Sequence, residues 1–439
     1  MVLLTQILTF ILIISILVVL HEFGHYLPAK YFKTRVEKFY LFFDVKFSLF
    51  KKKIGETEFG IGWLPLGGYV KISGMIDESM DTEQMKKDPE PWEFRSKPAW
   101  QRLIIMLGGV TVNFFLAWFI YSGLLFSNGD TYIPSENLKY GILVDSVGQK
   151  LGLQTGDKIL AIDGKKSVKF TDAAKDILFG DEITVNRNGE KLTIPISDEG
   201  KKDFLSKSGS NFLSYRMRPF VEKTLEGSGA ENAGIESGDL ITAVNGEAVM
   251  YYSDFIDKMQ NFEALENINI TVDRAGVTKL FDLKLSEDKK AGIYPSVADL
   301  RVTDSYSFLA SIPAGFNQTI KVLTDQVRQF KIIFNRTTEG YKQLKGPIGI
   351  VEMMAPTWDW YFFWNFLAYF SIWLAFVNLL PIPALDGGHV MFLLYEIISG
   401  RAPSEKVLER GQIIGFVIIM TLMVVIFGND IWNVIKRFI

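Results

Sequence analysis

Four stretches of this chain are long and apolar enough to cross a bilayer, whose hydrocarbon core takes about 20 apolar residues as a helix. They are Met1–Leu20, Leu103–Gly129, Trp360–Leu385 and Gly411–Asn429. The second carries no charge. The third is bounded by Asp359 and Asp386, the fourth by Arg410 and Asp430. One such run could be the buried helix of a large soluble domain. Four in 439 residues predict a polytopic α-helical membrane protein with four transmembrane helices. Met1–Leu20 lacks a basic start and a small-residue cleavage site, so it is expected to stay as a helix rather than leave as a signal peptide.

The basic residues set the expected orientation. Lys30, Lys33, Arg35, Lys38, Lys46, Lys51, Lys52, Lys53 and Lys71 follow the first span, and Arg401, Lys406 and Arg410 lie between the third and fourth. The positive-inside rule puts both loops in the cytoplasm and residues 130–359 outside. Lys436 and Arg437 vote the other way and are outnumbered. The net charge of −3 gives no reason to expect nucleic acid, and the absence of cysteine confines any zinc site to histidine and carboxylate ligands.

Two of the three histidines stand at the inner end of the first run, in His21-Glu22-Phe23-Gly24-His25. On a helix, positions i and i+4 share a face, so both imidazoles can grip one zinc ion, with the glutamate beside the open coordination position. Ionisable groups at membrane depth are expensive and mark function. The best third ligand is Asp386, in Asn378-Leu379-Leu380-Pro381-Ile382-Pro383-Ala384-Leu385-Asp386-Gly387-Gly388-His389. A helix-end charge or a salt bridge is the plain alternative for Asp386. His389 is a rival ligand at i+3, more often a hydrogen-bond donor behind a ligand. Asn378, two turns before Asp386, shares its side only if the helix persists through the prolines. Asn113, in the second span, could hydrogen-bond near the site but is expected chiefly to tie helices together.

Two further segments carry β patterning. Phe39–Phe50 and Glu58–Ser73 read as hairpin strands, with glycines at 60, 62, 67, 68 and 74. An ordinary cytoplasmic sheet is one reading; a backbone that dips into the membrane is the other, and requires a protein-lined cavity. Residues 77–98, with Asp88-Pro89-Glu90-Pro91, read as a surface loop. In the outer region, Leu151–Gly164 repeats as Ala233–Gly246 at an offset of 82 residues. Each copy has a Gly-Asp turn, an alternating strand and an Asp-Gly or Asn-Gly hairpin turn. Residues 305–358 show an apolar stripe of helical spacing (Phe308, Ile312, Phe316, Ile320, Leu323, Val327, Phe330, Ile333), which predicts an amphipathic helix on the membrane surface or the third span.

The repeats resemble PDZ domains of the permuted kind found in bacterial proteases. That likeness implies capture of peptides by strand addition, including free peptide C-termini, with a steric gate as the alternative. Tyr140-Gly141-Ile142-Leu143 is the candidate carboxylate loop of the first copy; the second has no clear one. Taken with the His21–His25 and Asn378–Gly388 motifs and the Gly60–Gly74 segment, the chain resembles the site-2 protease family of intramembrane zinc metalloproteases (peptidase family M50), in its regulator of sigma-E protease branch. The resemblance implies four transmembrane helices with a membrane-re-entrant β-hairpin (about 58–74) and two periplasmic PDZ-like α/β domains (130–220 and 221–304). Spans are expected at 1–26, 101–129, 360–390 and 411–439, an amphipathic segment at 305–359, and cytoplasmic segments at 27–100 and 391–410. It implies one Zn2+ per chain on His21, His25 and Asp386, Glu22 as general base, and Asn378, Gly67, Gly68, Tyr69 and Val70 as substrate-binding residues. It also implies a bacterial inner-membrane location with the active site toward the cytoplasm. The substrate would be a single-span, pre-trimmed membrane protein such as an anti-sigma factor, or remnant signal peptides.

Overall fold

The computed structural model describes residues 1–65, 67–75, 88–206, 212–298 and 300–436. Residues 77–87 of the charged 77–98 stretch, Leu66 of the glycine-rich segment and Arg437 therefore lie outside the described residues. The chain forms two compact units: Met1–Gly129, Ser305–Lys331 and Leu344–Ile439 make one, and Asp130–Asp304 with Ile332–Gln343 the other.

The first unit holds four helices long and apolar enough to cross a membrane. Helix α1 (Val2–Tyr31) is followed by strands β1 (Val36–Leu41), β2 (Phe43–Ile54), β3 (Thr57–Leu64) and β4 (Tyr69–Ile72), then by α2 (Ala99–Asn128). After the outer region come α3 (Phe308–Ile333), α4 (Pro347–Glu352), α5 (Trp360–Asn378), α6 (Asp386–Ser399) and α7 (Glu405–Ile435). Helix α2 starts after Pro98 and stops at Gly129, whose φ of 69° closes the turn. Helix α5 starts where the Asp359 side chain accepts the Phe362 N–H at 3.0 Å.

The expected single span over 360–390 is instead two helices. Helix α5 ends at Asn378, and residues 379–385 form tight turns, with Ile382 N–H to Leu380 O at 2.7 Å and Leu385 N–H to Ile382 O at 2.8 Å. Pro381 and Pro383 have no N–H to give a helix and push the residues before them out of helical conformation. Helix α6 then runs through residues 391–399 of the stretch expected as the 391–410 loop and is capped by Gly400. Helix α7 likewise begins at Glu405, ahead of the expected 411.

The β segment also departs from expectation. The sheet order is β2-β3-β1-β4, so Glu58–Ser73 is not a hairpin: β3 and β4 lie on opposite sides of β1. Strand β3 runs parallel to β1 (Phe39 opposite Phe59), and β4 antiparallel to it (Phe39 opposite Val70). The hairpin is β2–β3, turning at Gly55 with φ 64°. This leaves β4 as a sheet edge.

Helix α3 faces the reverse of a soluble amphipathic helix. It buries Ser311, Thr319, Val322, Asp325 and Gln326 while Phe308, Leu309, Ile312, Phe316, Ile320 and Val327 remain exposed. Its small residues let it close on α2, where a Cβ on Gly315 would lie 2.2 Å from Ser122 Oγ. An apolar stripe turned outward suits a lipid surround.

In the second unit the sequence repeat is a structural repeat. Strands Lys158–Ile162, Lys165–Lys166, Glu182–Arg187 and Glu190–Pro195 form one four-stranded sheet. Leu240–Val244, Glu247–Ala248, Asn267–Arg274 and Val277–Lys284 form the other with the same strand order. Each carries a helix at the matching place, Phe170–Phe179 and Tyr252–Gln260, and its own apolar core. The Gly-Asp turns share one device. Asp157 is gripped by Arg187 (Nε to Oδ1, 2.8 Å) and Asp239 by Arg274 (Nε to Oδ1, 2.6 Å). Each arginine also donates to a glycine carbonyl, Gly152 or Gly234, at 2.8 Å. Both aspartates are fully buried, so a bidentate partner is what makes their charge tolerable.

Candidate active site

His21 and His25 are buried one turn apart on α1, facing α2. Helices α1 and α2 touch backbone to backbone at Gly24 and Gly108: a Cβ on Gly108 would lie 2.0 Å from Gly24 O, and one on Gly24 2.4 Å from Gly108 O. At Gly109 a Cβ would lie 2.5 Å from His25 Nε2 and 2.6 Å from His21 Cε1. The Gly108-Gly109 pair therefore supplies the room in which the imidazoles sit. Sequence reasoning passed over it; its signal was two adjacent glycines in a charge-free span.

Asp386 is the first residue of α6. It reaches the histidines because the 379–385 turns fold back over the start of α6. A Cβ on Gly387 would lie 2.2 Å from Leu380 O, and one on Gly388 2.3 Å from Pro383 Cα. Asp386 Oδ2 lies 3.3 Å from His21 Nε2 and 3.2 Å from His25 Nε2, and the two Nε2 atoms are 3.3 Å apart. Asp386 Oδ2 is buried and accepts no hydrogen bond. Three lone-pair atoms converging in this way suit a cation. Zinc fits: ligands about 2.0–2.1 Å from a tetrahedral ion stand about 3.3–3.4 Å from one another. These three residues form the metal-capable group among the described residues, and His389 is not in it.

Behind the converging atoms, His25 Nδ1 lies 2.9 Å from Ile105 O and donates to it, which leaves Nε2 with its lone pair. His21 Nδ1 lies 3.1 Å from the Asn113 amide. Asn113, expected mainly as a tie between helices, is thus in the site, while its backbone carbonyl also accepts the Ser371 hydroxyl at 2.7 Å. The Asn378 amide nitrogen is 3.1 Å from His21 Nε2, on the side where the three atoms converge.

Half-buried Glu22 faces the Val70 backbone N–H. A Cβ on Gly68 would lie 2.5 Å from Val18 Cγ1 and 3.7 Å from Glu22 Cγ. The free edge of β4 thus runs along α1 at the glutamate. Gly68 and Val70 meet the site; Gly67 and Tyr69 pack instead on the Phe43 ring, and the Tyr69 hydroxyl donates to Asp44 at 2.8 Å.

The sequence model of peptidase family M50 matches residues 9–422. Regulator of sigma-E protease RseP of Escherichia coli is 28% identical over 96% of this chain and 97% of its own length. The regulator of sigma E protease of Haemophilus influenzae is 29% identical over 96% and 97%. A Vibrio cholerae protein provisionally named a zinc metalloprotease is 31% identical over 96% and 97%.

Proposed function

The chain belongs to peptidase family M50 and is a zinc metalloprotease of the membrane, and on that premise we propose that it cuts peptide bonds within the transmembrane segments of single-span proteins. One observation carries this reading: His21, His25 and Asp386 bring three lone-pair atoms within 3.3 Å of one another, beside Glu22, on helices with membrane-spanning composition.

His21, His25 and Asp386 hold one zinc ion in this reading. When bound, zinc acts as a Lewis acid and lowers the pKa of a water ligand to about 7. Glu22 takes a proton from the attacking water as its oxygen bonds to the scissile carbonyl carbon. It returns that proton to the amide nitrogen as the C–N bond breaks, leaving a carboxylic acid and an amine, which pass to carboxylate and ammonium as the acid's proton moves to the amine. The Asn378 amide offers N–H groups to the substrate backbone. A helical substrate hides its carbonyls in i→i−4 hydrogen bonds and must unwind first. The free edge of β4, through Gly68 and Val70, then holds it extended by strand pairing.

The relatives' names connect this family branch with regulation of sigma-E, and in this reading the substrate class is an anti-sigma factor already trimmed outside the membrane, with remnant signal peptides as a second class. The location is the inner membrane of a bacterium. The paired repeats at 130–220 and 221–304 act as PDZ-like domains that admit trimmed substrates. Their common strand order supports two copies of one domain.

The test is a purified, lipid-reconstituted enzyme given a tagged single-span substrate. Cleavage inside the span by the wild type, with loss of at least about 1,000-fold in Glu22→Gln, is expected for removal of a general base and its charge. Full activity in Glu22→Gln, or cleavage outside the span, contradicts the proposal.

A further inference from the structure

Resting on the zinc-site reading, we propose that Asn113 is the positioning residue of the metal centre: its amide oxygen selects the Nδ1–H tautomer of His21. Asn113 is fully buried, its amide nitrogen Nδ2 lies 3.1 Å from His21 Nδ1, and its Oδ1 is buried without a partner. For His21 Nε2 to offer a lone pair toward Asp386 and His25, the ring proton must sit on Nδ1. A buried N–H needs an acceptor. A half-turn of the Asn113 amide exchanges Nδ2 for Oδ1 and places Oδ1 opposite Nδ1–H, so that the orphaned oxygen gains a donor and the ring N–H an acceptor.

His25 meets the same requirement with a backbone carbonyl, Ile105 O, at 2.9 Å. Both imidazoles on α1 are thus oriented by α2, one by main chain and one by Asn113. The assignment goes further than packing. Ser371 of α5 donates to the Asn113 backbone carbonyl at 2.7 Å, which ties the helices without touching His21. Side chain and main chain of Asn113 therefore make two separable interactions, one to the metal centre and one to the bundle.

The experiment measures zinc affinity by chelator competition, and the visible spectrum of the Co2+-substituted protein, for full-length wild type, Asn113→Ala, Asn113→Asp and Ser371→Ala in detergent. All are checked for monodispersity. Asn113→Ala should bind zinc 10–100-fold more weakly and shift the Co2+ bands, the usual scale for losing an orienting partner. Asn113→Asp keeps an acceptor and should restore the affinity to within about threefold of wild type on that same scale. Ser371→Ala should leave affinity unchanged. Wild-type affinity in Asn113→Ala, an equal loss in Ser371→Ala, or a monodisperse Asn113→Asp that fails to recover affinity overturns the proposal. Failure of the wild type itself to bind zinc would instead overturn the zinc-site reading.

Discussion

At the scale of residues, the site is defined as much by what is missing as by what is present. Gly109 is the sharpest case, because any side chain there meets both imidazoles. Gly109→Ala should cost about 1–3 kcal/mol of stability by overpacking and weaken zinc binding at least tenfold. Thermal unfolding in detergent and chelator competition check both; an unchanged affinity contradicts the crowding argument. The residues that the structure brings together were legible in the sequence. His21, Glu22 and His25 fall at helical spacing in a nearly histidine-free chain, and Asp386 is a charge at the end of a long uncharged run. Gly109 and Asn113 were not, because their roles come from which helix they face, and a span that is apolar all round gives no periodicity to show it.

At the scale of elements, the two departures have separate origins. The prolines at 381 and 383 end α5 early, and it is this break that brings Asp386 to the histidines at the start of a new helix. The strands at 36–72 were recognisable from their composition, but sheet order was not, since alternation says nothing about which strand lies beside which. Helix α7 shows an attachment that the sequence marked only as a span boundary. Asp430 is buried and accepts N–H groups from Gly346 and Ile348 at 3.0 Å and from Gly349 at 3.2 Å. Asp430→Ala strands those donors and should cost at least about 3 kcal/mol, given about 1.5–3 kcal/mol for each hydrogen bond to a charged group. A thermal midpoint equal to wild type would contradict it. In the outer repeats, burial pushes the Asp239 carboxyl up, but Arg274 and the Glu236 N–H outweigh it and hold it below the usual carboxylate value. Its contribution to folding is therefore present above its ordinary pKa near 3.8 and lost as pH falls through the lowered native one. Asp239→Asn should be less stable at neutral pH and lose less stability on acidification, read from thermal midpoints between about pH 6 and pH 2.

At the scale of the whole molecule, the described residues include four membrane-compatible helices, and a duplicated α/β unit is inserted in sequence between the second and third. The internal repeat made the duplication legible from sequence, because Gly-Asp turns must recur where a buried aspartate meets an arginine. The sidedness argument rests on the basic residues and is open to direct test, since the chain has no cysteine. Single cysteines at Lys52 and Asn188 should react with a membrane-impermeant maleimide from opposite sides; labelling from one side contradicts the orientation. Removal of residues 137–300 should let the enzyme cut untrimmed substrate, and unchanged discrimination would refute the gating role. The central claim is that one zinc site is assembled from α1 and the start of α6. Zinc per chain, measured by atomic emission on purified protein, tests it most directly. Wild type and Glu22→Gln should each hold about one zinc after dialysis and Asp386→Ala almost none, as expected for loss of one of three protein ligands. An Asp386→Ala protein that keeps its zinc at wild-type affinity would contradict it.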